Sequence, residues 1–463
     1  MTDNKGDSAF SRRNYVKLFG GTAGSIAIAG CTGGGGDGSS GDGSGDGSSG
    51  DGSGDGSSGD DGSGDDGSSD GGTTTLELQH WWTDGGGAIG MEELQSGFTE
   101  QYPDIEINDN PVAGGGGTNL QAVIRQKVLE GDPPSTWQDW PGANLQDYVD
   151  AGALKDIGYI FEGEMEENYG EGALLSARAG DEENPYVAVP LNIHRVNNVF
   201  WDMASVEEAG VDMTSIGDPR EYVEVLEQLD SELDIAPLGL SMAVPWTILQ
   251  LWNANLVGLH GVDAYEGFQN GDDVTSEVEE ALEVTQTQMG FATEDASSVG
   301  SDAARLKLPQ GEAVTLMEGD WAAGNLFAAE GYDYGDDWGH APYPGTDGVY
   351  TINTDGFPYP KPNPTPDATD KWMEWVGSAE AQRRFCQPKG AIPCRTDVDM
   401  SEFSELLQNQ AEDYQSGTGI LTLAHGDGVT PQQGTSLKNA MARFRDQGNV
   451  QATAQSLMDA MTL

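Results

Sequence analysis

Tryptophan is the residue type in this chain that is best suited to bind a ligand. There are 11 Trp residues in 463, and several lie beside turn signals instead of inside periodic apolar runs. An indole offers a flat apolar face that matches the C–H face of a pyranose, and polar side chains near it can bond ring hydroxyls. Taken singly, each Trp also fits a place in the core. The Trp residues next to turn signals are Trp81, Trp82, Trp137, Trp140, Trp246, Trp252 and Trp321.

Alternating strands and helices must position these side chains. Apolar alternation from Thr75 to Trp82 predicts a strand, which ends at a loop over residues 84–87 before a helix over 91–102. The same pattern predicts later strands and helices, which are a strand at 105–108, a helix at 119–129, a strand at 186–193, a helix at 219–229 and a strand near 313–317. Such alternation indicates α/β layers with mostly parallel sheets, and sheets of this kind place ligands at their strand ends.

The first 72 residues have the composition of an export signal followed by a tether. Arg12-Arg13 precedes a weakly apolar run over 18–29, which is too short to span a bilayer. The arginine pair and this run together are similar to a twin-arginine signal. Residues 28–31 resemble a lipobox, in which Cys31 becomes the lipidated first residue. The alternative is a chance basic pair and an ordinary thiol. Residues 32–72 are almost entirely Gly, Ser and Asp, which predicts a disordered tether.

The formal net charge of the chain is -57. Leaving out residues 1–72 leaves 17 basic and 66 acidic residues, so the acidity belongs to the folded part, at -49. Because screening shortens from about 10 Å at 0.1 M salt to about 3 Å at 1 M, we interpret this charge as an adaptation to high salt. The alternative is an acidic surface that meets a basic partner. A nucleic-acid ligand is excluded, since phosphate binding requires clustered Lys and Arg.

Two cysteines remain after Cys31, and they flank a short segment. Cys386 and Cys394 fit either a disulfide in an exported protein or two small buried thiols.

Gly114 to Gly117 lacks the ending of a P-loop, so a turn before the next helix is the better interpretation. The chain contains no metalloprotease, zinc-ribbon or hydrolase-elbow motif, and we expect neither a metal nor a cofactor.

Several segments together resemble family 1 extracellular solute-binding proteins, and most of all their glucose/mannose-binding branch. The resemblance covers roughly residues 75 to 463. The segments that carry it, in order, are Leu-Glu-Leu-Gln-His-Trp-Trp at 76–82, Phe-Thr-Glu-Gln-Tyr-Pro-Asp at 98–104, Gly-Asp-Pro-Pro-Ser-Thr-Trp-Gln at 131–138, Val-Pro-Leu-Asn-Ile-His-Arg at 189–195, Met-Glu-Gly-Asp-Trp-Ala-Ala-Gly at 317–324, Pro-Lys-Gly-Ala-Ile at 388–392 and Ala-His-Gly at 424–426.

This resemblance implies an α/β, two-lobed periplasmic-binding-protein fold of type II, with a hinge and a ligand cleft between the lobes. One lobe is expected from residues 73–190 plus 353–390 and the other from 191–352 plus 391–463. The implied activity is binding, not catalysis, with a sugar as ligand, the permease subunits of an ABC transporter as partners and the outer face of the cell membrane as location.

The positions that match the branch's sugar contacts are Trp81, Trp82, Gln138, His194, Trp246, Asp320, Trp321, Asp355, Lys389 and His425. Where the branch has a His shortly after the Gln of the Pro-Pro turn, this chain has Trp140, which we include in the predicted site as a stacking ring. Alternatives exist for the polar positions. His194 fits a core histidine, Asp320 a helix N-cap and Lys389 a solvated loop lysine.

Two other functions are also compatible with this sequence. A secreted glycoside hydrolase would need two of the many carboxylates as its catalytic pair. A surface sensor that binds sugar for taxis would share every residue of the predicted site.

Overall fold

A computed structural model of the protein describes residues 74–114 and 117–463. The predicted export signal, Cys31 and the predicted tether lie outside these residues. Within the described ranges, no helix combines the length and the apolar character that crossing a bilayer requires.

The described strands form three sheets. In the first sheet the order is β2-β1-β3, in the second β10-β4-β9-β11 and in the third β6-β7-β5-β8. The strands are β1 Thr74–Gln79, β2 Ile105–Asp109, β3 Thr136–Trp137, β4 Ala188–Arg195, β5 Asn198–Asp202, β6 Ala236–Gly239, β7 Ala313–Glu318, β8 Trp338–Pro342, β9 Val349–Pro358, β10 Ile392–Pro393 and β11 Thr418–Leu421.

The prediction of mostly parallel sheets is wrong for the second and third sheets. The first sheet is parallel throughout, but β4 pairs antiparallel with both β9 and β10, and β5 pairs antiparallel with both β7 and β8. Alternation along the chain shows where strands and helices lie, but it does not show which strands become neighbours. The strands β4 and β9, distant in sequence, pair along almost their whole length and carry buried side chains on both faces.

Helices cover the faces of the sheets. They are α1 Gly85–Gln101, α2 Thr118–Glu130, α3 Gln146–Asp150, α4 Gly158–Phe161, α5 Glu164–Asn168, α6 Glu171–Ala177, α7 Met203–Glu208, α8 Pro219–Glu232, α9 Pro245–Asn270, α10 Thr275–Met289, α11 Ser301–Leu306, α12 Trp321–Phe327, α13 Pro366–Val376, α14 Ala379–Lys389, α15 Glu405–Ser416, α16 Pro431–Gln447 and α17 Val450–Met461. The predicted strands and helices are confirmed, with ends that differ by a few residues.

One predicted loop belongs to a helix. The glycines at 85–87 form the first turn of α1, and only Asp84 precedes it. These glycines serve close packing, because a Cβ on Gly86 would collide with the Pro388 carbonyl oxygen and lie 2.9 Å from the Gly324 Cα. Helix α1 can therefore pack directly against α12 and α14 at this point.

Buried apolar side chains form three clusters. The first fills the space around the first two sheets, and Phe98, Trp372 and Phe385 belong to it. The second lies among α9, α10, α16 and α17, and the third packs against the third sheet. Residues of the segment 392–411 pack into the first cluster. The lobe boundaries given above stay a prediction.

The two described cysteines are free thiols in the structure, so the disulfide considered for them is not formed. Cys386 and Cys394 are both fully buried, and the Cys386 Sγ points to the Leu191 carbonyl oxygen at 3.9 Å. Burial raises the pKa of both thiols well above its usual value. The structure thus has the second alternative, two small buried thiols.

We expect Gly86→Ala to lower the free energy of unfolding by about 1 to 3 kcal/mol, because the added methyl group overpacks the contact of α1 with α12 and α14. The matched control is Gly434→Ala in α16, where a Cβ would have its nearest neighbour at 3.6 Å. That change removes backbone entropy from the unfolded chain and should be neutral or stabilising. Denaturant titration in high salt checks both, and equal stability of the two variants would contradict the packing argument.

Candidate ligand-binding site

The predicted site residues come from all three sheets and from helices that pack against them, and several of them directly follow a strand. Trp81 and Trp82 follow β1, and Gln138 and Trp140 follow β3. Asp320 follows β7, with Trp321 as the first residue of α12. The remaining predicted residues are His194 in β4, Asp355 in β9, Trp246 at the start of α9, Lys389 at the end of α14 and His425 after β11.

These residues enclose a cavity of about 330 Å³. Nine of the eleven predicted side chains line it, which are Trp81, Trp82, Trp140, His194, Trp246, Trp321, Asp355, Lys389 and His425. Gln138 and Asp320 stand behind this wall. Gln138 donates to Asp355 Oδ1 at 3.1 Å and accepts from the Trp81 backbone amide, so it holds two of the lining residues. A direct contact of each residue with a sugar stays a prediction.

Aromatic rings form most of the wall. The His425 ring lies between three indoles, with centroid distances of 5.0 Å to Trp140, 5.1 Å to Trp246 and 5.1 Å to Trp321. Trp81 packs edge-on against Trp140 at 4.9 Å. These contacts fix the planes of the rings, so the wall is pre-organised for a flat apolar face.

A second aromatic contact supports Trp82. Its ring centroid lies 4.6 Å from that of Phe385 on α14, and the indole is 6% exposed. Trp82 is therefore held by the core on one side and lines the cavity on the other.

Behind the indoles, a buried imidazole bridges two buried carboxylates. His194 Nδ1 bonds Asp320 Oδ1, and His194 Nε2 lies 3.2 Å from Asp355 Oδ2. Asp320 Oδ2 also accepts from the Arg195 backbone amide at 2.8 Å. The Asp320 side chain makes no bond to the first turn of α12, so the N-cap alternative for it is wrong.

The two carboxylates have opposite pKa shifts. Burial raises the pKa of Asp320 above its usual value, because the contacts with His194 only partly offset the loss of hydration. Burial acts on Asp355 in the same direction, but the interactions of Asp355 with His194, Lys389 and Asn192 outweigh it and lower its pKa. Asp355 is thus the side of the bridge that keeps its negative charge next to the cavity.

Polar atoms without a partner converge on the same space. Trp246 Nε1 and Asn353 Oδ1 are buried and make no hydrogen bond within the described part of the chain. Lys389 is 7% exposed, has no ion-pair partner among the described residues and lies 6.0 Å from the Trp321 ring centre. Burial lowers the pKa of Lys389, an effect that the charges of Asp355 and Asp320 oppose. Buried donors and acceptors without partners are costly, which indicates that a polar ligand completes them.

The cavity also contains residues that the sequence did not reveal. They are Asp84, Asp302, Arg305, Asn325 and Asn353. A signal existed for some of them, since Asp84 follows the Trp pair in the same loop and Asn353 lies two residues from Asp355 on one strand. Asp302 and Arg305 lie on the six-residue helix α11, which has no motif. In the described ranges, no group of three or more His, Cys, Asp or Glu side chains is placed to hold a metal ion.

Known proteins share this fold. The structure matches that of a bacterial solute receptor with an exclusive preference for β-D-galactopyranose, with a TM-score of 0.72, 15% sequence identity and coverage of 84% of this chain and 98% of the other. It also matches maltose-bound MalE3 of T. maritima, with a TM-score of 0.66, 16% identity and coverage of 84% and 99%. The predicted α/β, two-lobed type II periplasmic-binding-protein fold, with a hinge and an interlobe cleft, is confirmed.

Sequence relatives extend over most of the chain. A xylose/arabinose-binding protein of Haloferax volcanii is 38% identical over 463 residues, which cover 98% of each chain. An uncharacterized ABC transporter extracellular-binding protein of Pyrococcus horikoshii is 31% identical over 83% of this chain and 87% of its own. Residues 81–383 match the sequence model of the bacterial extracellular solute-binding proteins. The chain therefore belongs to the family of bacterial extracellular solute-binding proteins.

Proposed function

We propose that this protein binds a neutral monosaccharide or short oligosaccharide outside the cell and delivers it to an ABC transporter. The observation that carries the proposal is the cavity, where indole faces and buried polar atoms without partners lie together. Stacking surfaces with a few placed donors and acceptors suit a sugar ring. A volume of about 330 Å³ lies at the lower end of the range for ligand pockets, about 300 to 1,000 Å³, which favours one or two rings over a long chain.

The charges around the cavity favour a neutral ligand. Asp84, Asp302 and Asp355 line it together with only two side chains that are always or usually cationic, Arg305 and Lys389. The whole chain is strongly acidic as well. An anionic sugar would therefore be repelled on approach and would gain little inside.

The identity of the sugar is proposed from relatives and from resemblance. The resemblance to the glucose/mannose-binding branch favours glucose or mannose, while the relative in Haloferax volcanii is named for xylose and arabinose. All four form six-membered rings with an apolar face. The first binding screen should therefore contain both hexoses and pentoses.

Delivery requires the cleft to open. Trp246, Trp321, Lys389 and His425 are all at least nine-tenths buried in the structure. We propose that the lobes separate to admit and release a sugar held against them, since hinge closure around a ligand is a common mechanism in two-lobed binding proteins. The protein then returns its ligand unchanged, which is the behaviour of a binding protein and not of a hydrolase.

Replacing stacking and polar groups should change sugar binding in different ways. Trp246→Ala should weaken every sugar that binds by about 1 to 3 kcal/mol, because each pyranose loses the same apolar contact. Lys389→Ala should weaken only those epimers whose hydroxyl it bonds, also by about 1 to 3 kcal/mol. Calorimetric titration in high salt with glucose, mannose, galactose, xylose and arabinose measures both effects.

The matched control for Lys389→Ala is Lys361→Ala, which removes the same charge at an exposed position away from the cavity. It should bind all sugars like the unchanged protein. Two results would overturn the proposal. One is unchanged affinity of both site variants for every sugar, and the other is release of new reducing ends from oligosaccharides.

Acid should destabilise the protein through its buried histidines. Burial lowers the pKa of His425 well below its usual value, and Lys438 adds to the effect. Below about pH 6.5 the unfolded chain therefore takes up a proton that the folded chain does not, and the free energy of unfolding falls by up to about 1.4 kcal/mol per pH unit for this residue. In His425→Gln the fall between pH 7 and pH 5 should be smaller.

His340 gives a matched control for the pH experiment. Burial lowers its pKa to about 3, and its ring bonds Asn198 outside the cavity. His340→Asn should reduce the pH dependence of stability in the same sense while leaving sugar affinity unchanged at pH 7. A pH dependence that neither variant reduces would show that other groups set it.

We further propose that the protein is adapted to high salt. Residues 73–463 have a formal charge of -49. Unfolding or expansion should occur as salt falls below roughly 0.5 M, because the screening length then exceeds the spacing of neighbouring carboxylates and they repel one another. Replacing the exposed Glu224 and Glu227 of α8 by Gln should lower the salt that the protein requires. Thermal unfolding between 0.1 M and 3 M KCl measures this, and a melting temperature independent of salt would contradict it.

The proposed location is the outer face of the cell membrane, after export by the twin-arginine route and lipidation of Cys31. The Gly-Ser-Asp segment 32–72 would then be the tether. Cys31→Ser should release the protein into the medium, because no other attachment is proposed. Cell fractionation measures this, and retention of the variant in the membrane fraction would contradict the lipid anchor.

A further inference from the structure

One corner of the cavity is built by three side chains that the family resemblance did not single out. Helix α11 contributes Asp302 and Arg305, and α12 contributes Asn325. These three side chains are called the arginine corner below. Asp84, in the loop between β1 and α1, lies near the arginine corner. Burial and the charge of Asp302 raise the pKa of Asp84, and the charge of Arg305 opposes that rise.

The arginine is fixed by its neighbours. Arg305 Nη1 lies 2.9 Å from Asp302 Oδ1 and donates to Asn325 Oδ1 at 3.3 Å. The arginine side chain is 11% exposed and that of Asp302 is 50% exposed, so the cation lies inside the cavity and the carboxylate at its edge. The Arg305 Nε is buried, makes no hydrogen bond within the described residues and lies 3.6 Å from Glu318 Oε2.

The same arginine supports one of the indoles. Glu318 is buried, and its Oε1 accepts from Trp321 Nε1 at 3.0 Å and from the Gly319 amide at 3.1 Å. Burial raises the pKa of Glu318, and the charge of Arg305 opposes that rise, so Arg305 stabilises the carboxylate that holds the Trp321 ring. Any test of Arg305 must therefore keep a positive charge at this position.

We propose that Arg305, oriented by Asp302 and Asn325, is a specificity-determining residue that selects which sugars the cavity accepts. This inference rests on the proposed sugar-binding function. The indoles accept the apolar face of any pyranose, so they discriminate little between sugars. A planar guanidinium with fixed orientation can donate to a sugar hydroxyl from one direction only, and a sugar without a hydroxyl at that position loses this hydrogen bond.

The test uses Arg305→Lys, which keeps the charge beside Glu318 but loses the planar fork. Dissociation constants are measured for D-glucose, D-mannose, D-galactose, D-xylose and L-arabinose in high salt. The pairs glucose with xylose and galactose with arabinose differ by the hydroxymethyl group, and mannose and galactose each differ from glucose in the configuration of one ring hydroxyl. We expect at least one ratio between two sugars to change by about tenfold or more.

Two comparisons make the result specific. Asp302→Asn, at a half-exposed position, should change the same ratio in the same direction by a smaller factor, and it keeps the test valid if Arg305→Lys folds poorly. Trp246→Phe should shift all five constants by similar factors. If Arg305→Lys and Asp302→Asn leave every ratio unchanged, or weaken all sugars equally, the specificity role is wrong while sugar binding stands. Absence of sugar binding by the unchanged protein overturns the proposed function and this inference with it.

Discussion

The contact on which the site depends is the buried bridge of His194 between Asp320 and Asp355. Its three side chains come from β4, from the segment after β7 and from β9, so it ties the second sheet to the third at the cavity. All three are almost completely excluded from water. Removing one member would leave an uncompensated buried charge, which is far more destabilising than an exposed ion pair is stabilising. The bridge therefore fixes the backbone from which the lining residues project.

Around this bridge the wall combines rigidity with incomplete polar bonding. The indoles and His425 pack against one another and leave little freedom in their ring planes. In contrast, Trp246 Nε1 and Asn353 Oδ1 have no hydrogen-bond partner in the described chain, and Lys389 has no ion-pair partner there. The rings of the site are fully packed, but several of its polar atoms lack a hydrogen-bond partner in the described chain. Such a site suits a ligand whose hydroxyls can pair with those atoms. The polar atoms then give orientation, and the rings give most of the contact area.

The sequence predicted β1 and β2 of the first sheet and the Trp pair after β1, because apolar alternation and turn residues are local signals. It also predicted eight of the cavity-lining residues through their resemblance to the family branch, and Trp140 as a stacking ring where that branch has a His. It failed where the outcome depends on neighbours distant in sequence. The antiparallel pairing of β4 with β9 is such a case, and so is the helical turn at Gly85–Gly87, where close packing against α12 and α14 outweighs the loop preference of glycine. Arg305 was missed for the same reason, since only the fold brings α11 to the cavity.

The central claim is that a sugar binds in the cavity between the indoles, in contact with the polar atoms that lack protein partners. A crystal structure of the complex, grown in high salt with the tightest-binding sugar from the calorimetric screen, tests it most directly. We predict a pyranose ring stacked on Trp246 or Trp82, with hydroxyls within hydrogen-bond distance of Lys389 Nζ and Asn353 Oδ1. A complex with the sugar bound elsewhere and only water in this cavity would contradict the account.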